Sequence, residues 1–122
     1  MKKILTLFIL ILSFTLIGSL KIGAKMSDNF TQVRAEHILV QDENQALEIK
    51  KEIEEGKITF EDAAKKYSMC PSKANGGDLG YFGRGMMVKP FEQGAFEGEI
   101  GKVSNPVQTQ FGYHLIKVID KK

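Results

Sequence analysis

The chain has 122 residues, of which 43% are hydrophobic and 26% are charged, a composition that suits one globular domain with its own core. The formal net charge is +2, but residues 1–25 hold four lysines and no acidic residue, which leaves the remainder slightly acidic. A domain without a basic stripe does not favour nucleic acid as a partner. The single cysteine, Cys70, excludes a disulfide within the chain.

The first 25 residues predict a secretory signal peptide or an N-terminal membrane anchor. Lys2 and Lys3 precede an apolar run over residues 4–17, which is the order of a signal sequence. The run is shorter than the roughly 20 residues that cross a bilayer, but it extends further if Lys21 reaches back to the interface. A cleavage site after Ala24 is poorly specified.

The localisation depends on where translation starts. With the N-terminal segment present, we expect an exported or membrane-anchored protein facing outside the cytoplasm, with membrane association through residues 4–22. If translation starts at Met26, the protein is cytoplasmic. In both cases we expect a linker at residues 26–32 and one domain at residues 33–122.

The domain begins with a predicted strand and two predicted helices. Residues 33–40 alternate in the manner of a strand, and His37 shares a face with its neighbours two positions away. Asp42, three residues before Gln45, indicates the start of a helix that Gly56 ends. Thr59 and the acid three residues later repeat that signal for a second, short helix.

The run from Cys70 to Phe91 is rich in glycine, methionine and aromatic residues. Glycine permits positive φ and a close approach of backbone, while methionine and aromatic side chains form adaptable apolar pockets. The run matches neither the Walker nor the dinucleotide pattern. It therefore predicts a site for an extended peptide or a small apolar group, with a short strand at 79–82 and a helix from Lys89.

The C-terminal part predicts two further strands, at residues 107–110 and 113–119. In the second of them His114, Ile116 and Val118 share one face. Strands and helices in this order within about 90 residues indicate an α+β fold, with a small antiparallel sheet covered by helices.

Six features then occur together and in order. They are His37 in the first strand, the Cys70 loop, Gly77-Asp78-Leu79-Gly80, Met87, Lys89-Pro90-Phe91 and Phe111-Gly112-Tyr113-His114. As a combination they resemble the parvulin family of peptidyl-prolyl cis/trans isomerases, and the resemblance covers essentially all of residues 33–119. It implies the parvulin-like α+β fold (the FKBP-like superfold), a four-stranded antiparallel sheet covered by about four helices.

The resemblance also implies roles for nine residues. The polar, catalytic set is His37, Cys70, Thr109 and His114. The histidines resemble a pair on adjacent central strands, the cysteine faces the reacting amide, and the threonine is linked to the histidine pair. The substrate-binding set is Leu79, Phe82, Met87, Phe91 and Phe111. Three of these, Leu79, Met87 and Phe91, match the pocket for the proline ring. Phe82 borders that pocket, and Phe111 matches a position next to the active site that varies in residue type.

One departure from the family bears on substrate choice. The branch directed at phosphorylated Ser/Thr-Pro has a long basic loop after the first strand, whereas residues 41–44 are short and acidic here, and the chain has no tryptophan. The minimal single-domain branch is the better match. We therefore expect an isomerase of X-Pro bonds in unfolded or partly folded chains, without phospho-specificity, metal or cofactor, and monomeric.

Simpler interpretations of the same residues stay open. Each histidine can be a hydrogen-bonded core residue, Cys70 an inert small hydrophobe, and the methionines part of the core. A metal site built from the histidines, Cys70 and Asp78 lacks a close ligand pair. The alternative function is a non-catalytic chaperone module that binds peptide in the same groove.

Overall fold

The computed structural model describes residues 30–122. The expected signal or anchor at residues 1–25 and most of the expected linker at 26–32 lie outside the described residues. Within residues 30–122, no helix has both the length and the apolar character that crossing a bilayer requires.

Strands and helices follow the predicted order. The elements are β1 (Gln32–Val40), α1 (Glu43–Glu54), α2 (Phe60–Tyr67), β2 (Asp78–Gly83), α3 (Lys89–Glu97), β3 (Val107–Thr109) and β4 (Gly112–Lys121). A 3-10 helix, Pro71–Asn75, follows α2 in a segment for which the sequence predicted only a loop. With this short helix, the described residues contain the predicted four strands and about four helices.

The helix starts lie where the sequence predicted them. Asp42 caps α1, and its carboxylate accepts from the backbone amide of Asn44 at 3.4 Å rather than from that of Gln45, three residues on. Thr59 caps α2, and its hydroxyl accepts from the Asp62 amide at 3.0 Å. Each bond satisfies one of the amides that the first turn of a helix leaves without an internal partner.

The four strands form one antiparallel sheet in the order β2-β1-β4-β3. The first and last strands of the domain are therefore the central neighbours. Their register pairs Leu39 with His114 and His37 with Ile116. Because directly opposed residues share a face, the two histidines lie diagonally across the same face of the sheet.

Helices cover both faces of the sheet. Under α1 and α2, Ile38, Val40 and Leu115 are buried in a core cluster. The helical members of that cluster are Ala46, Ile49, Phe60, Ala63 and Ala64. On the other face lies α3, where a Cβ at Gly94 would be 3.2 Å from Ile116 Cδ1. The glycine lets α3 approach the sheet closely, and this is the face that carries both histidines.

Candidate active site

The two histidines are in direct contact. Both are about 95% buried, their Nδ1 atoms are 3.1 Å apart, and their rings stack with centroids 5.2 Å apart and planes 17° from parallel. A hydrogen bond between two ring nitrogens needs one donor and one acceptor, so the pair shares one proton between the Nδ1 atoms. Burial lowers the pKa of each ring to about 4, helped for His37 by the neighbouring His114, so both are neutral at pH 7.

Thr109 extends this contact by one further hydrogen bond. Its Oγ1 lies 2.8 Å from His114 Nε2 and accepts from the Phe111 amide at 3.1 Å. The threonine thus holds the plane of the His114 ring, which in turn holds that of His37. At the other end of this series of hydrogen bonds, His37 Nε2 is buried with no hydrogen-bond partner among residues 30–122.

Cys70 is brought to the histidines by the segment that follows α2. The Met69 amide donates to the carbonyl of Leu39 at 2.8 Å, which attaches this segment to the end of β1. Ser68 reinforces the attachment, because its buried Oγ accepts from the amides of Leu39, at 3.0 Å, and Cys70, at 3.3 Å. Sequence reasoning missed Ser68; its signal was a small hydroxyl residue at the end of α2.

A cavity of about 470 Å³ opens in front of these groups. Its lining is His37, Leu39, Met69, Cys70, Pro71, Leu79, Met86, Met87, Val88, Phe91, Phe111 and His114. Phe91 meets both histidine rings edge to face, with centroids 5.4 Å and 5.1 Å away. The wall is therefore apolar except where the neutral histidines and the thiol are presented.

The structure brings seven of the nine predicted site residues to this cavity. Thr109 does not line it and acts through His114. Phe82 does not border it as predicted, because it is 99% buried, with its ring 6.0 Å from that of Phe91 and 6.2 Å from that of Phe96. Phe82 therefore supports Phe91 from behind. Strand alternation placed Leu39 on this face, but Met69 and Pro71 had no signal as wall residues.

Comparison with known proteins agrees with this geometry. The family model described as "Rotamase: PPIC-type PPIASE domain" matches residues 24–120. Together with the four-stranded sheet and its cavity, this match defines the class, a peptidyl-prolyl isomerase domain of the parvulin type. The chain belongs to this family, which confirms the resemblance and the fold expected from the sequence.

Three relatives show how far the similarity extends. The chain is 52% identical over 97 residues to the foldase protein PrsA of Geobacillus kaustophilus, covering 78% of this chain and 34% of the relative. A crystal structure of the peptidylprolyl isomerase PrsA of Bacillus anthracis superposes with a TM-score of 0.74 at 49% identity, covering 76% of this chain and 43% of that one. NmPin, the parvulin of Nitrosopumilus maritimus, gives 0.68 at 42% identity, covering 74% and 97%. The chain thus spans about a third of the length of the curated PrsA relatives that it matches.

Proposed function

We propose that this domain accelerates cis/trans rotation of X-Pro bonds in unfolded or partly folded polypeptides, as a folding catalyst without phospho-specificity. One observation carries the proposal. An apolar cavity large enough for a proline ring, with Leu79, Met87 and Phe91 in its wall, also presents a neutral histidine pair and Cys70. In this proposal the apolar residues hold the ring, and the polar ones adjust hydrogen bonding around the carbonyl that precedes proline.

The chemistry needs no covalent step. Rotation about the amide is slow because resonance must be lost, at a barrier of about 18–20 kcal/mol. The twisted transition state has less charge separation than the planar amide, so an apolar site binds it more favourably than the ground state. Neutral histidines suit this task better than charged ones, because a fixed positive charge would favour the polar planar amide.

The surroundings of the cavity support the absence of phospho-specificity. No lysine or arginine is among the residues that line it. The loop after β1 offers no positive charge at residues 41 and 42, since the side-chain Nε2 of Gln41 donates to the carbonyl of Phe111 at 2.9 Å and Asp42 caps α1. Arg84, one of the cations in the glycine-rich run, is paired with Glu92 at 3.3 Å. A phosphate dianion would therefore find no cation in the wall.

The test is NMR exchange spectroscopy or a protease-coupled assay on Ala-Leu-Pro-Phe and Ala-pSer-Pro-Phe peptides. We expect acceleration for the first peptide and no advantage for the second. Met87→Ala should lower kcat/KM about tenfold, since it removes roughly 1–2 kcal/mol of contact with the ring. Leu47→Ala, an exposed leucine on α1 outside the cavity, is the control. Equal kcat/KM in wild type and Met87→Ala contradicts the pocket assignment.

The alternative is a binding module that holds peptide without turning it over. It is favoured by the mouth of the cavity, where Met69, Met86 and Phe111 are more than half exposed and suited to capturing apolar segments. Chemical-shift changes on adding peptide, without faster cis/trans exchange, would support this module and exclude the isomerase.

We further propose that the domain acts outside the cytoplasm as a monomer, with residues 1–25 as signal or anchor and residues 26–32 as linker. The order of lysines and apolar residues at the N-terminus supports this. Mass spectrometry of the N-terminus of the protein from its own cells decides between a start at Met1, cleavage after Ala24 and a start at Met26. Membrane fractionation then tests association through residues 4–22, and sedimentation tests the monomer.

A further inference from the structure

Glu92 is a buried carboxylate that the proposed chemistry does not use. It lies in the first turn of α3, directly after Phe91, and only 9% of its surface is exposed. An acidic side chain near the N-terminus of a helix stabilises that helix through its dipole, without any further contact. The side chain of Glu92, however, bonds to groups that precede the helix.

Both carboxylate oxygens of Glu92 bind the loop that connects β2 to α3. Oε1 accepts from the Gly85 amide at 2.8 Å, and Oε2 accepts from Arg84 Nη1 at 3.3 Å. We call residues 84–88 the methionine loop, because Met86 and Met87 lie in it. The first bond is the closer one, and it depends on a backbone orientation at φ +88° that favours glycine at residue 85.

The methionine loop forms one side of the cavity. Met86, Met87 and Val88 all line it, as do both histidines and Phe91. Methionine is flexible, and the thioether sulfur of Met86 makes only a weak hydrogen bond, accepting from the Gly83 amide at 3.3 Å. The bond from Gly85 to Glu92 lies immediately before the two methionines, and so it ties them to the helix that carries Phe91.

We propose that Glu92 is a positioning residue that holds the methionine loop against α3 and so preorganises the proline-ring pocket. This inference rests on the proposed function, since it assigns the pocket to an X-Pro segment. The guanidinium of Arg84 contributes less. It is 62% exposed and lies over the Phe96 ring at 4.2 Å, and exposed ion pairs contribute little. The hydrogen bond from the Gly85 amide to Glu92 Oε1 is the essential contact.

Loss of this contact affects binding more than turnover. If the loop becomes ordered only when the proline ring enters, the domain binds the ground state and the transition state more weakly by the same amount. This raises KM or Kd and leaves kcat nearly unchanged. For Glu92→Ala in the full chain we expect Kd for Ala-Leu-Pro-Phe to rise about five- to tenfold, with kcat within twofold. Hydrogen exchange at the amides of Gly85, Met86 and Met87 should accelerate at least tenfold, with the strands unaffected.

Three further variants separate positioning from general stability. Glu92→Gln keeps an oxygen for the Gly85 amide and should restore affinity and amide protection to within twofold of wild type. Arg84→Ala should cost less affinity than Glu92→Ala. Glu97→Ala removes another acid of α3 and serves as the matched control, because within residues 30–122 its carboxylate accepts only from Gln93, at 3.4 Å.

Two results would overturn the proposal. One is wild-type affinity and wild-type Gly85 protection in Glu92→Ala. The other is a Glu92→Gln variant as defective as Glu92→Ala, which would assign the effect to charge. If the wild-type chain binds the peptide without accelerating its exchange, the isomerase function fails separately, and the affinities and amide exchange still decide the role of Glu92.

Discussion

The Nδ1 atoms of His37 and His114 are 3.1 Å apart, so one of the two must be the donor and the other the acceptor. The order of donors can run from Thr109 towards His37 or in the opposite direction, and in both cases each ring carries one proton. A second proton on either ring would create a buried positive charge with no carboxylate of residues 30–122 hydrogen-bonded to the pair. The geometry is therefore that of a neutral pair.

As the pH falls, the domain should lose stability at pH values above those at which the folded histidine pair itself becomes protonated. Because the folded pKa of about 4 lies below the usual 6.5, the unfolded chain binds these protons first, and the free energy of unfolding falls between about pH 6.5 and 4. Each ring contributes a slope of about 1.4 kcal/mol per pH unit, and above pH 4.5 the buried Glu36, whose folded pKa is raised to about 8, opposes it with a slope of similar size. NMR of the two histidine rings checks the pKa directly, and urea unfolding at pH 6.5, 5.5 and 4.5 checks the slope. Ring titration near pH 6.5 would contradict the neutral pair.

Alkali should act through a different buried group on the opposite face of the sheet. Glu36 in β1 is 92% buried, its Oε1 has no hydrogen-bond partner among the described residues, and Lys117 instead approaches Glu61 at 3.7 Å. Burial, then Glu61, raises the pKa of Glu36 to about 8, whereas the pKa of the more exposed Glu61 is lowered. Glu36 is thus the carboxyl that keeps its proton.

Stability should therefore fall as the pH rises from 6.5 to 8. The folded state must release a proton that the unfolded chain has already lost, at a cost of about 2 kcal/mol over this interval. Glu36→Gln is neutral at every pH and should remove the decline, while Glu48→Gln on α1 should retain it. Urea unfolding of the three proteins at pH 6.5, 7.2 and 8 gives the comparison. A decline that persists in Glu36→Gln assigns it to another group.

The hydroxyl of Thr109 should matter more than its size. Thr109→Val keeps the shape but leaves His114 Nε2 without its 2.8 Å partner, which we expect to cost about 1–2 kcal/mol of stability and about tenfold in kcat/KM. Thr109→Ser retains the hydroxyl, so its stability should stay close to that of wild type and its kcat/KM within about twofold. Thermal unfolding and peptide exchange are measured on both variants. Equal activity in the valine and serine variants would show that the hydroxyl does not hold the pair.

The strands and helices of the fold were predictable because their signals are local. Alternation placed His37 and His114 on strand faces, caps at Asp42 and Thr59 marked two helix starts, and each signal depends only on residues a few positions apart. The residues at the cavity then followed from the family resemblance. Local patterns could not tell that the two histidines would meet, because the register between the first and last strands is set by the whole sheet, and only the family resemblance implied the pair.

The remaining features depend on contacts between distant segments. Ser68 joins the end of α2 to β1 through bonds to two amides, and Glu92 reaches back seven residues to Gly85. The family resemblance implied that Phe82 borders the pocket, but the packing of α3 buries it behind Phe91. No local pattern distinguishes a residue that supports a wall from one that forms it.

Two glycines of that run should respond differently to the same substitution. Gly77 has φ +87°, and its added Cβ would lie 2.4 Å from the carbonyl oxygen of His37, an impossible distance against backbone. Gly80 has φ +74° with nothing within 4 Å of the added atom. Gly80→Ala therefore adds only conformational strain, about 1 kcal/mol, whereas Gly77→Ala adds a clash and should cost about 3 kcal/mol or more.

The clash also falls on the active-site strand. The carbonyl of Gly77 accepts from the His37 amide at 2.9 Å, so moving this turn moves the backbone of His37 and the ring it carries. For a domain of this size we expect Tm to fall by about 5 °C in Gly80→Ala and by more than about 12 °C in Gly77→Ala. Thermal unfolding measures both, and His114 ring shifts report the pair in each variant. Equal losses of Tm would mean that the turn at Gly77 can move away from β1, and the position of His37 would then not depend on it.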